Sequence, residues 1–184
     1  MVALSRFIPK VLESVSNQPP FMVERSLIAT LRDFAKQSLC WEETLTLQFN
    51  QGKEAALELP EHTLLNRIIH AFDEDLPLVQ NRDYHVNIHS ERLMWLNSTP
   101  PRQIIVSVSL IPDTSATEVP DFFFDRYHEA IAAGAALRSQ GANGIPQYQQ
   151  YELKTVYNDA VKEAKDIALN GHARVVPQFK HRFI

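Results

Sequence analysis

The hydrophobic period of this chain changes twice, from helical to alternating and back to helical. Between residues 21 and 39 the apolar residues Val23, Leu27 and Leu31 recur at the spacing of an amphipathic helix. From Leu45 apolar and polar residues alternate, and helical spacing returns after residue 119. Helices and strands segregated in this way are typical of α+β proteins. We therefore predict an α+β fold, in which an antiparallel β unit is inserted between the first and second of three main helices.

The predicted β part covers residues 42–111. Leu45, Leu47 and Phe49 alternate with polar residues, and Gly52 precedes a second alternating segment, residues 55–59. This pattern predicts a hairpin. Further strands are predicted at residues 64–72, 84–88, 93–96 and 104–110.

The second helix is predicted from Pro120 to about Ser139, and the third from about Pro146 to a C-cap at Asn170-Gly171. Residues 1–20 contain three prolines and no sustained period, which predicts an irregular arm. One core is expected for 184 residues. The single predicted domain therefore consists of an arm (1–20), a helical part (21–41 and 119–170), a β part (42–111) and an extended C-terminal tail (171–184).

Composition narrows the classes of function. The formal net charge of −4 gives no basic footprint for sequence-specific DNA binding. The single cysteine, Cys40, excludes an internal disulfide framework, and no apolar run is long enough to cross a membrane. These features predict a soluble protein made in a reducing cytoplasm.

The sequence contains only weak matches to the motifs of catalytic, metal-binding or phosphate-binding sites. His85 and His89 form an HxxxH pattern, but on the predicted strand they stand about 13 Å apart, so a polar strand face is favoured over a metal site. Cys40 is interpreted as a small buried hydrophobic residue rather than a reactive thiol, since two glutamates follow soon after it. No glycine-rich phosphate loop or nucleophile motif is present. We predict no catalytic residue, no cofactor and no metal.

The second helix begins with three phenylalanines and continues almost entirely with small residues. Phe123 and Phe124 lie on its predicted buried face, whereas Phe122 shares a side with Arg126. Phe122 either covers the junction with the β part or meets another chain. Gly134 and the surrounding alanines allow close approach on several sides, as expected in an oligomer or at a tight helix crossing.

The C-terminal tail is basic and apolar. It carries Arg174, Lys180 and Arg182 without any acidic residue, and its apolar residues, among them Val176, Phe179 and Phe183, have no helical period. The tail either folds back on its own domain or extends to a partner with an acidic surface.

Four segments give the chain a family resemblance. FAKQSLCWEETLTLQF, LPEHTLLNRIIHAFDEDLPL, VPDFFFDRYHEAIAAGAALRSQ and YNDAVKEAKDIAL resemble the head-to-tail adaptor (connector, head-completion) proteins of tailed bacteriophages. The resemblance extends over roughly residues 20–170, and AIAAGA is its most specific part.

The resemblance implies a structural virion protein and no enzyme. Proteins of this family form a ring, commonly of twelve copies, that binds the portal, completes the DNA-filled head and connects it to the tail or to the next neck protein. DNA passes through the channel without sequence-specific binding, and no membrane is involved. The expected location is the neck of the virion, after assembly in the host cytoplasm. The expected protein-interface residues are Phe122, Arg126, Gly134, Arg174, Val176, Phe179, Lys180, Arg182 and Phe183.

Two other classes stay open. The first is a tail-completion or tail-terminator protein. The second is a small cytosolic enzyme or ligand-binding domain, which would have a deep cavity lined by His70, His85 or His89.

Overall fold

The computed structural model describes residues 1–15, 18–49, 52–140 and 144–173. These residues form four α-helices: α1 (Ile8–Ser14), α2 (Pro20–Ser38), α3 (Asp121–Gln140) and α4 (Gln147–Ala173). They also form nine strands: β1 (Val2–Ala3), β2 (Glu42–Gln48), β3 (Glu54–Ala56), β4 (Thr63–Asp73), β5 (Leu76–Pro77), β6 (Tyr84–Asn87), β7 (Arg92–Trp95), β8 (Gln103–Pro112) and β9 (Glu118–Val119). The predicted α+β class, with antiparallel strands between the first two long helices, is confirmed.

Helix α2 forms where the apolar stripe predicted a helix. Val23, Leu27, Leu31 and Phe34 are fully buried along one side. The helix ends because Leu39 adopts the left-handed conformation (φ 59°), which is uncommon for a residue other than glycine. The Ser38 hydroxyl donates to the Phe34 carbonyl at 2.7 Å within the last turn.

The β part consists of two antiparallel sheets with the strand orders β2-β8-β4-β5 and β3-β7-β6. Strand β8 lies inside the larger sheet, and its Val106, Val108 and Leu110 are fully buried. The predicted hairpin is wrong, because β2 pairs with β8 and β3 pairs with β7. Alternation correctly indicated the strands, but a local pattern does not specify which strand is the partner.

The N-terminal segment is more regular than the sequence predicted. Strand β1 pairs with β9, and a short 3₁₀ helix, Leu4–Phe7, leads into α1. Proline 9 lies in the first turn of α1, where a missing N–H costs little. Phe7, Val11 and Val15 are fully buried, so this segment belongs to the core.

Helix α3 lies between α1, α2 and α4. Every residue from 130 to 136 is buried, and all of them except Ile131 are alanine or glycine, which allows the neighbouring helices to approach closely. Helix α4 continues past the predicted Asn170-Gly171 cap to Ala173, since one glycine costs a helix only about 1 kcal/mol. Within the described part of the chain, no helix is both long and apolar enough to span a bilayer.

Candidate functional site

The three phenylalanine rings at the start of α3 contact three different neighbourhoods. Phe123 is fully buried, and its ring centroid lies 6.3 Å from that of Phe34 and 5.9 Å from that of Trp41. Phe124 packs edge-on against Phe7, with 5.1 Å between the ring centroids. The Arg6 guanidinium lies over the Phe124 ring, 4.3 Å from its centroid. These contacts join α3 to α2, to the β part and to the N-terminal segment.

The Phe122 ring contacts Phe123 but leaves part of its surface exposed. It stacks on Phe123 with a centroid separation of 4.3 Å, yet it is only partly buried. Arg126, one turn further along α3, is exposed. The two side chains therefore remain accessible at one edge of the helical part.

Gly134 lies inside the protein, where α3 crosses α2 and α4. A β-carbon at this position would lie 2.7 Å from Thr30 Cγ2 and 2.7 Å from Tyr157 Cδ2. The predicted close approach is thus present within one chain. The lack of a side chain at residue 134 is explained without a second copy.

A polar cluster joins the same three helices near this crossing. The Tyr157 hydroxyl and Arg138 Nη2 both donate to Asp33 Oδ2, at 3.0 Å and 2.9 Å. Burial, followed by the negative charge of Asp33, raises the pKa of the Tyr157 phenol well above its usual range. The phenol is therefore held as a hydrogen-bond donor.

A cleft of about 580 Å³ opens between the end of α2, strand β4 and α4. We call it the basic groove, and define it by its lining residues Lys36, Gln37, Leu39, Arg67, Asn158, Val161, Lys162 and Lys165. Four of these side chains are cationic and none is acidic. Leu39 and Val161 lie beneath the polar side chains and are buried, so the accessible lining is mainly polar and cationic.

The cations of the basic groove form no ion pair with the part of the chain that the structure describes. Among the residues that the structure describes, none of Lys36, Arg67, Lys162 and Lys165 has a carboxylate oxygen within 4.0 Å. All four side chains are exposed. A cluster of exposed cations of this kind is a candidate surface for binding carboxylates or other anions.

Helix α4 carries the opposite charge on its outer face. We call this face the acidic stripe, and define it by Glu152, Asp159, Glu163 and Asp166, whose spacings of seven, four and three residues place them on one side of the helix. All four are exposed. Large apolar side chains on the same helix are exposed by between 45% and 74%: Tyr148, Tyr151, Val156, Ile167 and Leu169.

The histidines that an enzyme or ligand pocket would have used are exposed. His70 lies on β4, His85 lies on β6, and His89 lies in the turn after β6. His85 Nδ1 is 3.1 Å from the Asn81 side-chain oxygen. Among the described residues, no cluster of three or more His, Cys, Asp or Glu side chains is arranged to hold a metal ion.

Cys40 is partly buried rather than fully buried, and its sulfur lies 3.0 Å from the Ser38 hydroxyl oxygen. Burial raises the pKa of the Cys40 thiol to about 11. A thiol of this kind is a poor nucleophile at neutral pH.

The remaining predicted interface residues, Arg174, Val176, Phe179, Lys180, Arg182 and Phe183, lie outside the described residues. Sequence reasoning missed the basic groove, because its cations come from three separate segments of the chain. The one local signal is the pair Lys162 and Lys165, which stand three residues apart on one side of α4.

Neither a protein-family model nor a curated protein matches this sequence.

Proposed function

We propose that this chain is a head-to-tail adaptor of a tailed bacteriophage. In this proposal, twelve copies form a ring in the neck of the virion, bind the portal and complete the DNA-filled head. The ring receives the tail or the next neck protein and leaves a channel for DNA. The protein is structural, with no catalysis, no cofactor, no membrane contact and no sequence-specific reading of DNA.

The observation that carries the proposal is the outer surface of α4. This helix has 27 residues, which corresponds to a length of about 40 Å. Its large exposed apolar side chains are distributed from Tyr148 to Leu169. Single exposed apolar residues are common on folded proteins, but several large ones along one helix favour a surface that contacts another protein. A chain that completes a larger assembly needs such a surface.

The family resemblance is the reason for proposing that this assembly is the neck of a phage. Three of its four segments contribute lining residues to the basic groove, at residues 36–39, at Arg67 and at residues 158–165. The segments that resemble adaptor proteins are therefore neighbours in the fold. Phe122 and Arg126, exposed or half-exposed at the start of α3, are proposed to add to the contacts between copies.

The predicted tail supplies the proposed contact with the portal. In this role the tail is extended, with Val176, Phe179 and Phe183 as apolar anchors and Arg174, Lys180 and Arg182 directed to an acidic surface. An extended tail would allow one subunit to contact both its ring neighbours and a docking partner.

Electron cryo-microscopy of DNA-filled particles that contain this chain tests the proposal. We expect a ring of twelve copies directly beneath the portal. Density for the chain on the tail tube, at the end that faces the head, would instead identify a tail terminator. A chain that is absent from particles, and is a monomer or dimer with ligand bound near His70 or His85, would support the cytosolic alternative.

A further inference from the structure

We propose that the basic groove of one copy binds the acidic stripe of the next copy, so that neighbouring copies associate head to tail. This contact rests on the proposed ring and identifies the surfaces that build it. The partner of the groove is thus a second copy of this chain.

The chemistry of the groove selects carboxylates on a protein surface. Lysine and arginine side chains make their strongest hydrogen bonds to ionised oxygens, and the planar guanidinium of Arg67 suits a carboxylate in two-point contact. Gln37 and Asn158 add neutral hydrogen-bonding groups beside the cations.

The acidic stripe has the matching composition. Its four carboxylates are exposed, and Val156 and Ile167 lie along its border with 45% and 48% of their surfaces exposed. The groove offers exposed cations, and the stripe offers exposed anions. Complementary potentials of this kind fix the orientation and the register of a contact.

The positions of the two surfaces predict the symmetry of the contact. The groove opens on the side of α4 that carries Asn158, Val161 and Lys165, whereas Glu152, Asp159 and Glu163 lie on another side of the helix. Lys162 and Asp166, four residues apart, lie side by side between the two surfaces. One copy can therefore use its groove and its stripe at the same time, for two different neighbours. A contact between two unlike patches is heterologous, and it produces a ring when the rotation closes.

A nucleic acid is the less suitable occupant. The chain has 22 acidic and 18 basic residues, and the acidic stripe lies on the same helix as half of the groove cations. Binding of a polyphosphate depends on an extended positive surface, and the neighbouring carboxylates would repel it.

Reciprocal charge reversal tests the contact. The groove variant is Lys162→Glu/Lys165→Glu, and the stripe variant is Glu163→Lys/Asp166→Lys. Each variant alone opposes like charges across the contact, so we expect its self-association to be at least about 100-fold weaker than that of the wild type. In an equimolar mixture every groove again faces a stripe of opposite charge, and association returns. Sedimentation velocity and native mass spectrometry at low ionic strength measure all three samples.

A charge-reversal variant outside the groove serves as the matched control. Arg25→Glu/Lys53→Glu makes the same change in net charge at exposed residues outside the groove, and should associate like the wild type. Circular dichroism confirms that each variant is folded. Unchanged association of the groove variant, or an equimolar mixture that stays dissociated although both variants are folded, would overturn the proposed contact. Loss of binding to a labelled DNA duplex, with self-association unchanged, would identify DNA as the occupant.

The test separates the contact from the proposed function. If the reversal variants behave like the wild type while virion images show the chain as a ring beneath the portal, the adaptor role holds and the groove contact is wrong. If association returns in the equimolar mixture but the chain is not found in the neck, the contact holds and the adaptor role is wrong.

Discussion

Gly134 and Tyr157 face each other across the contact between α3 and α4, so closely that a β-carbon on residue 134 would lie 2.7 Å from Cδ2 of the tyrosine ring. Thr30 Cγ2, from α2, is at the same distance on the other side. The crossing of the three long helices therefore depends on the absence of one side chain.

We expect Gly134→Ala to destabilise the fold. Overpacking costs about 1–3 kcal/mol, whereas alanine returns up to about 1 kcal/mol in helix propensity. Gly134→Leu should be worse. Urea unfolding monitored by circular dichroism measures both. A Gly134→Ala protein more stable than the wild type would contradict the expected crowding.

A second substitution serves as the matched control. Thr30→Ser removes Cγ2 but keeps the hydroxyl that donates to the Ser26 carbonyl at 2.8 Å. In the Thr30→Ser background, Gly134→Ala should cost less than in the wild type, because one of its two close contacts is gone. Equal costs in both backgrounds would place the strain on Tyr157 alone.

The helices of this fold could be predicted from local pattern, whereas the pairing of its strands could not. Val23, Leu27 and Leu31 recur on one face, and that period does not depend on any distant residue. Strand β2, however, pairs with β8, from Glu42↔Ser109 to Gln48↔Gln103. The hairpin prediction failed because only long-range packing distinguishes this partner from the nearer β3.

The basic groove was beyond prediction for the same reason. Lys36, Arg67 and Lys162 come from a helix end, a strand and a second helix, and each is ordinary in its own segment. Nothing in the sequence places them at one cleft. The crowding of α3, by contrast, could be predicted from Gly134 and its alanine neighbours. The sequence did not show that the close contacts are with helices of the same chain rather than with a second copy.

We expect Tyr157→Phe to lower the free energy of unfolding by about 0.5–1.5 kcal/mol at neutral pH, because the hydrogen bond to Asp33 is lost. The ring contact with Phe34, at 6.0 Å between centroids, remains possible. Urea midpoints of the two proteins give the difference.

The same pair has a defined pH dependence. The pKa of Tyr157 is raised in the folded state, so the unfolded chain releases this proton first as the pH rises. The stabilisation is therefore fully present below the ordinary tyrosine pKa of about 10 and declines above it. The advantage of the wild type over Tyr157→Phe should shrink in that range. An advantage that grows with pH would contradict the assignment.

Cys40 should react slowly with iodoacetamide in the folded protein. Burial raises its pKa from an ordinary 9.0 to about 11, so the folded thiol has about 100-fold less thiolate than the unfolded one at neutral pH. The alkylation rate, followed by mass spectrometry, should rise as the pH is increased. The same protein in urea is the control, and equal rates in both conditions would contradict the expected protection.

Phe122→Ala should weaken assembly more than it weakens the fold. The ring is only partly buried, whereas the ring of its neighbour Phe123 is fully buried. Phe123→Ala is the matched control and should cost about 3–5 kcal/mol of stability. Urea unfolding and native mass spectrometry separate the two effects. A stability loss as large as that of Phe123→Ala, with normal assembly, would assign Phe122 to the junction with the β part.

Deletion of residues 174–184 tests the proposed docking tail. The deleted residues follow α4, which ends at Ala173, and the described residues already form one hydrophobic core. We therefore expect the truncated chain to stay soluble, with a circular dichroism spectrum close to that of the full chain, but to fail to join DNA-filled heads. A matched variant with Arg174, Lys180 and Arg182 all changed to glutamine distinguishes the contribution of charge from that of the apolar anchors. If the truncated chain still completes heads, the portal contact must lie elsewhere, and the exposed edge at Phe122 and Arg126 becomes the next surface to test.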